Sequence, residues 1–314
     1  MKDVRPEMQV DIGGLIIKNP VMTASGTFGY GEEYAPYVDI ERLGAIIAKG
    51  ISLGPRAGNK PPRIMETPCG MLNAIGLENP GVNAFIKEKL PFLSQFDVPV
   101  IANVFAETID DFKKVTELLS KARGVAGLEI NISCPNVKKG GIIFGSDPDM
   151  AHTVTKEVKC QTDLPVIIKL TPNVTDICLI AKSVEEGGAD AISLINTLTG
   201  ISVDIERRIP HLANVTGGLS GPAIKPVALR MVWQVAKRVK VPVIGIGGIV
   251  SASDAIEFLI VGARAIQVGT ASFFNPSATV DIIDGIEGYL KRHKMADVND
   301  LIGTFDEEGK RCSD

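Results

Sequence analysis

The chain has 314 residues, of which 45% are hydrophobic and 22% are charged, and it contains 32 glycines and 19 prolines. This apolar fraction is enough for a large buried core and excludes a disordered or collagen-like chain. The 33 Lys and Arg residues against 37 Asp and Glu residues give a net charge of −4, which argues against nucleic-acid binding through a globally basic surface.

Eight short runs rich in Val and Ile occur along the chain, and each is followed by a segment that could form a helix. They lie at residues 19–25, 44–50, 98–104, 127–133, 164–170, 190–196, 241–248 and 265–270. Hydrophobicity without alternation is typical of strands buried on both faces, and hence of a parallel sheet covered by helices. The pattern predicts an α/β fold, a (β/α)8 TIM barrel formed as a single domain by residues 1–314, with an open doubly wound sheet as the alternative.

Four segments depart from a simple repeat of strand and helix. Residues 8–18 predict an N-terminal hairpin that caps the bottom of the barrel. The inserted loops at 51–77 and 197–225 are long, rich in Gly and Pro, and begin directly after a predicted strand. We therefore expect both loops to form walls of an active site at the C-terminal rim. Residues 135–145 follow the fourth strand and contain a Gly140–Gly141 pair that suits a lid.

Polar or small residues lie at the carboxyl ends of all eight predicted strands, which in a barrel converge on one pocket. In chain order they are Ser25, Lys49, Asn103, Asn131, Lys169, Asn196, Gly247–Gly248 and Gly269–Thr270. A lone Asn or Lys at a strand end is usually a turn residue, but Ser, Lys or Asn at every one of the first six ends favours a binding site. The last two ends lie where barrels commonly bind phosphate through backbone N–H groups.

The polar groups of this predicted pocket are mainly carboxamides, with two lysines. Carboxamides suit a ligand with alternating N–H and C=O groups, such as a pyrimidine dione, and lysines suit a carboxylate or the electron-rich edge of a flavin. The carboxylate nearest to the strand ends is Glu129, inside the fourth strand, and no histidine lies at a strand end. We therefore expect neither a histidine base nor a metal site.

Cys134 lies immediately beyond the fourth strand, in the sequence NISCPN. A thiol there could act as a base or nucleophile once it is ionised, and the alternative is a small buried hydrophobic residue like the other cysteines. The five cysteines form no Cys-x-x-Cys pair and are odd in number, and the N-terminus has no apolar signal-peptide region. The longest charge-free run is too short and too polar to span a bilayer, so we expect a reduced, cytoplasmic enzyme.

These motifs, in this order, resemble those of the dihydroorotate dehydrogenases, the flavin enzymes of pyrimidine synthesis. The resemblance extends over essentially the whole chain. Its most specific elements are NPVMTASGTFGYG at 19–31, MLNAIGLENPG at 71–81, NISCPN at 131–136, VPVIGIGGI at 241–249 and AIQVGTA at 265–271. The resemblance implies oxidation of dihydroorotate to orotate in the synthesis of UMP, with FMN as the cofactor.

Carried over position by position, the resemblance implies that cofactor and substrate share one pocket. FMN would contact Ser25, Lys49, Gly50, Asn103, Asn131, Lys169, Ile195, Gly221, Gly247, Gly248, Gly269 and Thr270, with its phosphate at the last four. Dihydroorotate would contact Lys49, Asn73, Ala74, Ile75, Gly76, Leu77, Asn131, Asn196 and Thr197. Cys134 would be the base that takes the C5 proton while a hydride passes from C6 to N5 of FMN. Lys169 would stabilise the negative charge at the N1–C2 edge of the flavin.

The resemblance also implies a subclass. Membrane-bound, quinone-linked members follow a different pattern, with an N-terminal extension and a Ser base, and we do not expect this chain to be one of them. Some soluble members are homodimers that reduce fumarate, whereas others pair with an electron-transfer subunit that holds FAD and a [2Fe–2S] cluster and reduces NAD⁺. Residues 139–148 are more similar to the NAD-linked kind. That kind would form a heterotetramer, a homodimer of this chain with two partner subunits.

Other functions stay open on the residues alone. Lys169 could be the Schiff-base lysine of an aldolase-type barrel acting on a sugar phosphate, although that role leaves Cys134 and the asparagines unused. A barrel that binds flavin without turnover is a second alternative. Oxidation of dihydrouracil is a nearer one, and it needs no pocket for a substrate carboxylate.

Overall fold

Eight parallel strands form the centre of the computed structural model, which describes residues 5–133 and 144–309. They are β1 (Val21–Thr23), β2 (Ile46–Ile47), β3 (Val100–Val104), β4 (Val125–Asn131), β5 (Val166–Lys169), β6 (Ala191–Leu194), β7 (Val243–Ile246) and β8 (Ala265–Val268). Each strand pairs with the next in chain order from β2 to β8, and β8 pairs with β1. A parallel bridge between Met22 and Ala45 closes the ring between β1 and β2. The TIM barrel is confirmed, and the open doubly wound sheet is wrong.

Helices surround the barrel and bury the outer face of its strands. The longer ones are Ile109–Ser120, Pro148–Lys159, Ile177–Glu186, Lys225–Ala236, Ala252–Ile260 and Ala278–Arg292. The shorter segments are Ile40–Arg42, Val82–Ala84, Phe85–Lys89, Leu90–Leu93, Pro222–Ile224, Ala271–Phe274 and Val298–Asp300. Every residue of β5 to β8 is buried, because one face points into the barrel and the other packs on helices. Within residues 5–133 and 144–309, no helix combines the length and apolar character needed to cross a membrane.

The predicted N-terminal hairpin is present and lies against the amino end of the barrel. Its strands Val10–Asp11 and Ile16–Ile17 pair in an antiparallel ladder. Gly13, in the turn between them, has a φ of +87°, and a Cβ atom added to it would lie 2.3 Å from the carbonyl oxygen of Asp190. Asp190 directly precedes β6, so the hairpin packs where the strands begin. Only glycine permits this close approach.

The two long inserted loops pair with each other in a small antiparallel sheet, here called the rim sheet. Its strands, in spatial order, are Leu198–Ile201, Thr216–Ser220, Gly70–Asn73 and Ile64–Thr67. A two-stranded ladder, Val203–Asp204 with Ile209–Pro210, follows the first of them. Both loops begin after a barrel strand, as the sequence predicts. Their strands are not predicted from the sequence, since each pairs across a large separation, as Asn73 does with Gly218.

Candidate functional site

A cavity of about 660 Å³ lies at the carboxyl end of the barrel, where strand ends and the rim sheet line it. This volume lies in the range of small-molecule and cofactor sites, roughly 300–1,000 Å³. The predicted site residues that the structure describes all line it: Ser25, Lys49, Gly50, Asn73, Ala74, Ile75, Gly76, Leu77, Asn103, Asn131, Lys169, Ile195, Asn196, Thr197, Gly221, Gly247, Gly248, Gly269 and Thr270. The fold therefore brings these positions together at one site, whereas the ligand that each contacts stays a prediction.

Cys134 and most of the predicted lid at 135–145, including Gly140–Gly141, lie outside the described residues. Ser133, the residue before Cys134, is buried and lines the cavity. Its hydroxyl donates to the carbonyl oxygen of Lys169 at 2.8 Å, and its backbone N–H donates to Oδ1 of Asn131 at 3.1 Å. These two bonds fix the residue that directly precedes Cys134 beside two predicted site residues.

Of the asparagines that line the cavity, the three predicted to bind substrate come from three different parts of the fold. Asn131 ends β4, Asn196 follows β6, and Asn73 belongs to the rim sheet. The Nδ2 group of Asn196 lies 3.4 Å from Oδ1 of Asn131, and Oδ1 of Asn196 accepts the backbone N–H of Thr197 at 2.8 Å. Asn73 donates to the carbonyl oxygen of Gly218 across the rim sheet at 3.3 Å. These bonds fix the orientation of the three amides, each of which has both a hydrogen-bond donor and an acceptor.

A buried carboxylate lies inside the barrel, next to the cavity. Glu129 of β4 has no exposed surface and is not among the residues that line the cavity. Its Oε1 accepts from Nδ2 of Asn103 at 2.7 Å and from Nζ of Lys169 at 3.3 Å. Its Oε2 accepts from the Ser193 hydroxyl at 2.9 Å and from Nε2 of Gln267 at 2.6 Å. From the sequence, Glu129 is recognised only as a carboxylate within a strand. Whether its side chain points into the barrel is not predicted, because the inward and outward positions of a strand buried on both faces are equally apolar.

Glycines shape the opposite end of the cavity. Gly247 and Gly248, directly after β7, have φ values of +127° and +73°. A Cβ atom on Gly248 would lie 2.7 Å from the backbone nitrogen of Lys225, the first residue of the helix Lys225–Ala236. Thr270 directly precedes the helix Ala271–Phe274 and donates from its hydroxyl to Oγ of Ser220 at 2.8 Å. This arrangement of glycine backbone next to helix N-termini suits a phosphate group.

An ion pair on the cavity wall is not predicted from the sequence. The Arg63 guanidinium donates to Oε2 of Glu78 at 2.5 Å, and both residues line the cavity. This hydrogen bond, the charge of Arg63 and that of Lys49 lower the pKa of Glu78. Arg63 lies in the first inserted loop and Glu78 directly follows it, and both are away from the strand ends that the sequence argument uses. The one signal in the sequence is the position of Glu78, which directly follows the predicted substrate segment at 73–77.

Comparison with known proteins gives one consistent result. A family model described as dihydroorotate dehydrogenase matches residues 7–290. The chain is 59% identical over 301 residues to the dihydroorotate dehydrogenase B (NAD(+)) catalytic subunit of Geotalea uraniireducens, covering 96% of this chain and 99% of the relative. The proteins of the same description from Citrifermentans bemidjiense and Trichlorobacter lovleyi are 60% and 59% identical, with 96% of this chain covered and 99% and 100% of the relatives.

Proposed function

Because the chain belongs to the dihydroorotate dehydrogenase family, we propose that it oxidises dihydroorotate to orotate in the synthesis of UMP, as an FMN-dependent oxidoreductase. The observation that carries the proposal is the composition of the cavity, which combines several asparagine amides, those of Asn73, Asn131 and Asn196 among them, with the two lysines Lys49 and Lys169. Amides suit the ring N–H and C=O groups of a dihydropyrimidine.

The residues of the cavity fit FMN at both of its ends. We propose that the phosphate binds the backbone N–H groups of Gly247, Gly248 and Gly269 and the N-terminus beside Thr270. At the other end, Oδ1 of Asn103 is buried and has no hydrogen-bond partner among the described residues. A buried acceptor normally has a partner, and a ring N–H group of the flavin would supply one. When bound, FMN supplies the acceptor for the hydride that leaves C6 of the substrate.

The side chains around the substrate would bind and orient it. We propose that Lys49 binds the carboxylate of dihydroorotate, because an ammonium group attracts an anion most strongly where water is excluded. The amides of Asn73, Asn131 and Asn196 would bind the ring, and Ala74, Ile75, Gly76, Leu77 and Thr197 would contact it. The bonds from Asn196 to Asn131 and to Thr197 hold these groups in one orientation. Fixing the ring in this way orients C6 and C5 for loss of the hydride and the proton.

Cys134 would act as the base that removes the C5 proton. A cysteine thiol has an ordinary pKa of about 8.5, so a modest change of environment makes it available as a thiolate near neutral pH. Support for the assignment comes from the sequence and from the position of Ser133, which is held in the cavity wall next to Lys169 and Asn131. Lys169 would stabilise the negative charge that reduction places on the flavin.

Electrons would leave the chain through a partner. The similar proteins are described as NAD(+)-linked catalytic subunits, and we propose by analogy that this chain also works with an electron-transfer subunit. That partner would hold FAD and a [2Fe–2S] cluster and reduce NAD⁺. The assembly would contain a homodimer of this chain. Reduction of fumarate by a homodimer alone is the alternative.

The visible spectrum of the purified chain, recorded before and after anaerobic addition of dihydroorotate, tests cofactor and substrate together. We expect flavin absorption that dihydroorotate bleaches and dihydrouracil does not, since dihydrouracil has no carboxylate for Lys49. A colourless protein that borohydride traps on a sugar phosphate through Lys169 would instead establish the aldolase. Flavin that no dihydropyrimidine bleaches, even with the partner present, would establish a binding subunit.

The electron acceptor is tested on the bleached protein. We expect NAD⁺ to restore the flavin absorption only when the partner subunit is added, because the chain by itself would hold FMN alone. Rapid recovery with fumarate and without the partner would contradict the NAD-linked assignment and establish the homodimeric class.

A further inference from the structure

The two carboxylate oxygens of Glu129 accept hydrogen bonds from different sets of residues. Oε1 accepts from Asn103 and Lys169, both of which line the cavity. Oε2 accepts from Ser193 and Gln267, neither of which is among the lining residues. The donors belong to four strands, β3, β5, β6 and β8, so the carboxylate connects the floor of the site to half of the barrel.

Burial of the Glu129–Lys169 ion pair costs desolvation free energy. The side chains of Glu129 and Lys169 are 0% and 7% exposed, and moving two charges out of water is repaid only when every group is paired and hydrogen-bonded. A carboxylate offers about four acceptor positions, and four donors occupy them here. A buried ion pair can often be replaced by apolar residues of similar volume without loss of stability. Stability alone therefore does not account for a charged network at this place.

The network also restricts the amide of Asn103. Its Nδ2 group donates to Glu129, so a flipped amide would place its oxygen against the carboxylate. Oδ1 is therefore the acceptor that the amide keeps free, it is buried without a partner among the described residues, and a Cβ atom added to Gly50 of the cavity wall would lie 3.2 Å from it. Glu129 thus fixes a cation and an acceptor next to each other at the floor of the cavity.

We propose that Glu129 is a positioning residue of the site: through Oε1 it holds the Lys169 ammonium and the Asn103 amide in the one arrangement that binds the flavin ring and stabilises its reduced form. Ser193 and Gln267 donate to the other oxygen, Oε2, and neither is among the residues that line the cavity. The inference rests on the proposed function, because it takes FMN as the ligand above this floor.

Glu129→Asp is the main test, with Ser193→Ala as the matched control. The aspartate keeps the negative charge but is one methylene shorter, so it cannot reach the donors on both sides. The control removes one donor from the same network, on the oxygen that faces away from the cavity. FMN affinity is measured by fluorescence titration of the apoprotein, the midpoint potential of bound FMN by anaerobic titration, and Tm by thermal unfolding.

We expect Glu129→Asp to weaken FMN binding by about tenfold or more, because small misplacements of binding groups have large effects. The midpoint potential should become more negative by about 30 mV or more, the shift that corresponds to a tenfold change in the ratio of reduced to oxidised flavin for a two-electron couple. Ser193→Ala should lower Tm, and it should change the FMN affinity and the midpoint potential far less than Glu129→Asp does.

Equal losses of Tm in the two variants, with FMN affinity and potential at wild-type values, would overturn the positioning role. Should Glu129→Asp not fold, Glu129→Gln keeps the size of the side chain and is expected to bind FMN about tenfold more weakly; wild-type affinity in that variant would overturn the role as well. The wild-type chain separates the two proposals. If the wild-type chain takes up no FMN, the proposed function fails and this inference fails with it. If the wild-type chain binds FMN and Glu129→Asp leaves both FMN affinity and midpoint potential unchanged, only this inference is refuted.

Discussion

The side-chain amides of Asn131 and Asn196 lie 3.4 Å apart, although the first ends β4 and the second follows β6, so that β5 lies between their strands. Both residues line the cavity, as does Lys169 at the end of the intervening strand. A planar ring with alternating donors and acceptors that binds here would meet both amides at once.

Removal of the Asn196 amide should therefore impair substrate binding. We expect Asn196→Ala to raise KM for dihydroorotate by about 5- to 150-fold, the equivalent of 1–3 kcal/mol for unsatisfied hydrogen-bonding groups. Steady-state kinetics check the value, and the flavin content should be unchanged. Asn214→Ala is the control, because Asn214 lines the same cavity but is exposed. An equal effect of both substitutions would contradict the role of Asn196.

Cys134→Ala should slow reduction of the flavin by dihydroorotate by about 10²- to 10⁴-fold, the usual cost of losing a general base, and leave FMN bound. Anaerobic stopped-flow absorption measures the rate. Cys134→Ser should keep some activity, displaced to higher pH because a hydroxyl ionises less readily than a thiol. Cys160→Ala is the control, since this exposed cysteine lies at the end of an outer helix. Near-normal bleaching in Cys134→Ala would remove that residue from the role of base.

The glycine end of the cavity should tolerate no side chain at position 248. Gly248→Ala places a Cβ atom 2.7 Å from the nitrogen of Lys225 at a φ of +73°, and we expect both a lower Tm and an FMN affinity reduced by about tenfold. Gly14→Ala is the control, because Gly14 also has a positive φ, +89°, but open space around it. The control should show backbone strain of about 1–3 kcal/mol and no loss of FMN affinity. FMN titration of both apoproteins is the measurement. A loss of FMN affinity in Gly248→Ala alone would indicate a damaged phosphate site, whereas equal affinities in the two variants would indicate backbone strain alone.

Acid should weaken the contact between the helix Ala252–Ile260 and Lys225. Burial raises the pKa of Asp254, but hydrogen bonds from Lys225, Ser251 and the backbone of Val250 outweigh it, so that the pKa lies below its ordinary value of 3.8. The contact therefore stabilises the fold fully at pH values above this ordinary value, and the stabilisation is lost as the pH falls through the lower pKa of the folded protein.

Asp254→Asn should lower the free energy of unfolding at pH 7 by about 1.5–3 kcal/mol, the range for hydrogen bonds to charged groups, and flatten its dependence on pH in acid. Urea unfolding at a series of pH values measures both effects. Asp284→Asn is the control, because Asp284 pairs with Arg42 while 59% exposed, and exposed pairs contribute about 0–1 kcal/mol. Loss of the same size in both variants would contradict the expectation for Asp254.

Much of the barrel can be predicted from the sequence because its strands are buried on both faces. The run at 164–170 contains β5, and the run at 265–270 contains β8, since short continuous apolar runs are typical of strands in a covered parallel sheet. The site residues at the strand ends follow from the same argument, because parallel strands bring their carboxyl ends to one rim.

Long-range pairing limits what the sequence can predict. Gly217 and Gly218 give no strand signal, yet they pair with Gly200 and Thr199, and Gly218 also pairs with Asn73. Their location depends on a partner loop that no local pattern indicates. The inward direction of Glu129 is also not predicted, since its neighbours Leu128 and Ile130 are equally buried on the other face of the strand.

The rim sheet joins the loop after β2 to the loop after β6 through the ladder between Gly70–Asn73 and Thr216–Ser220. Neither loop can therefore be exchanged by itself: transplanting one into a related barrel would expose unpaired backbone along the edge of the other. For anyone redesigning the specificity of this barrel, the two loops are a single module that must be moved together.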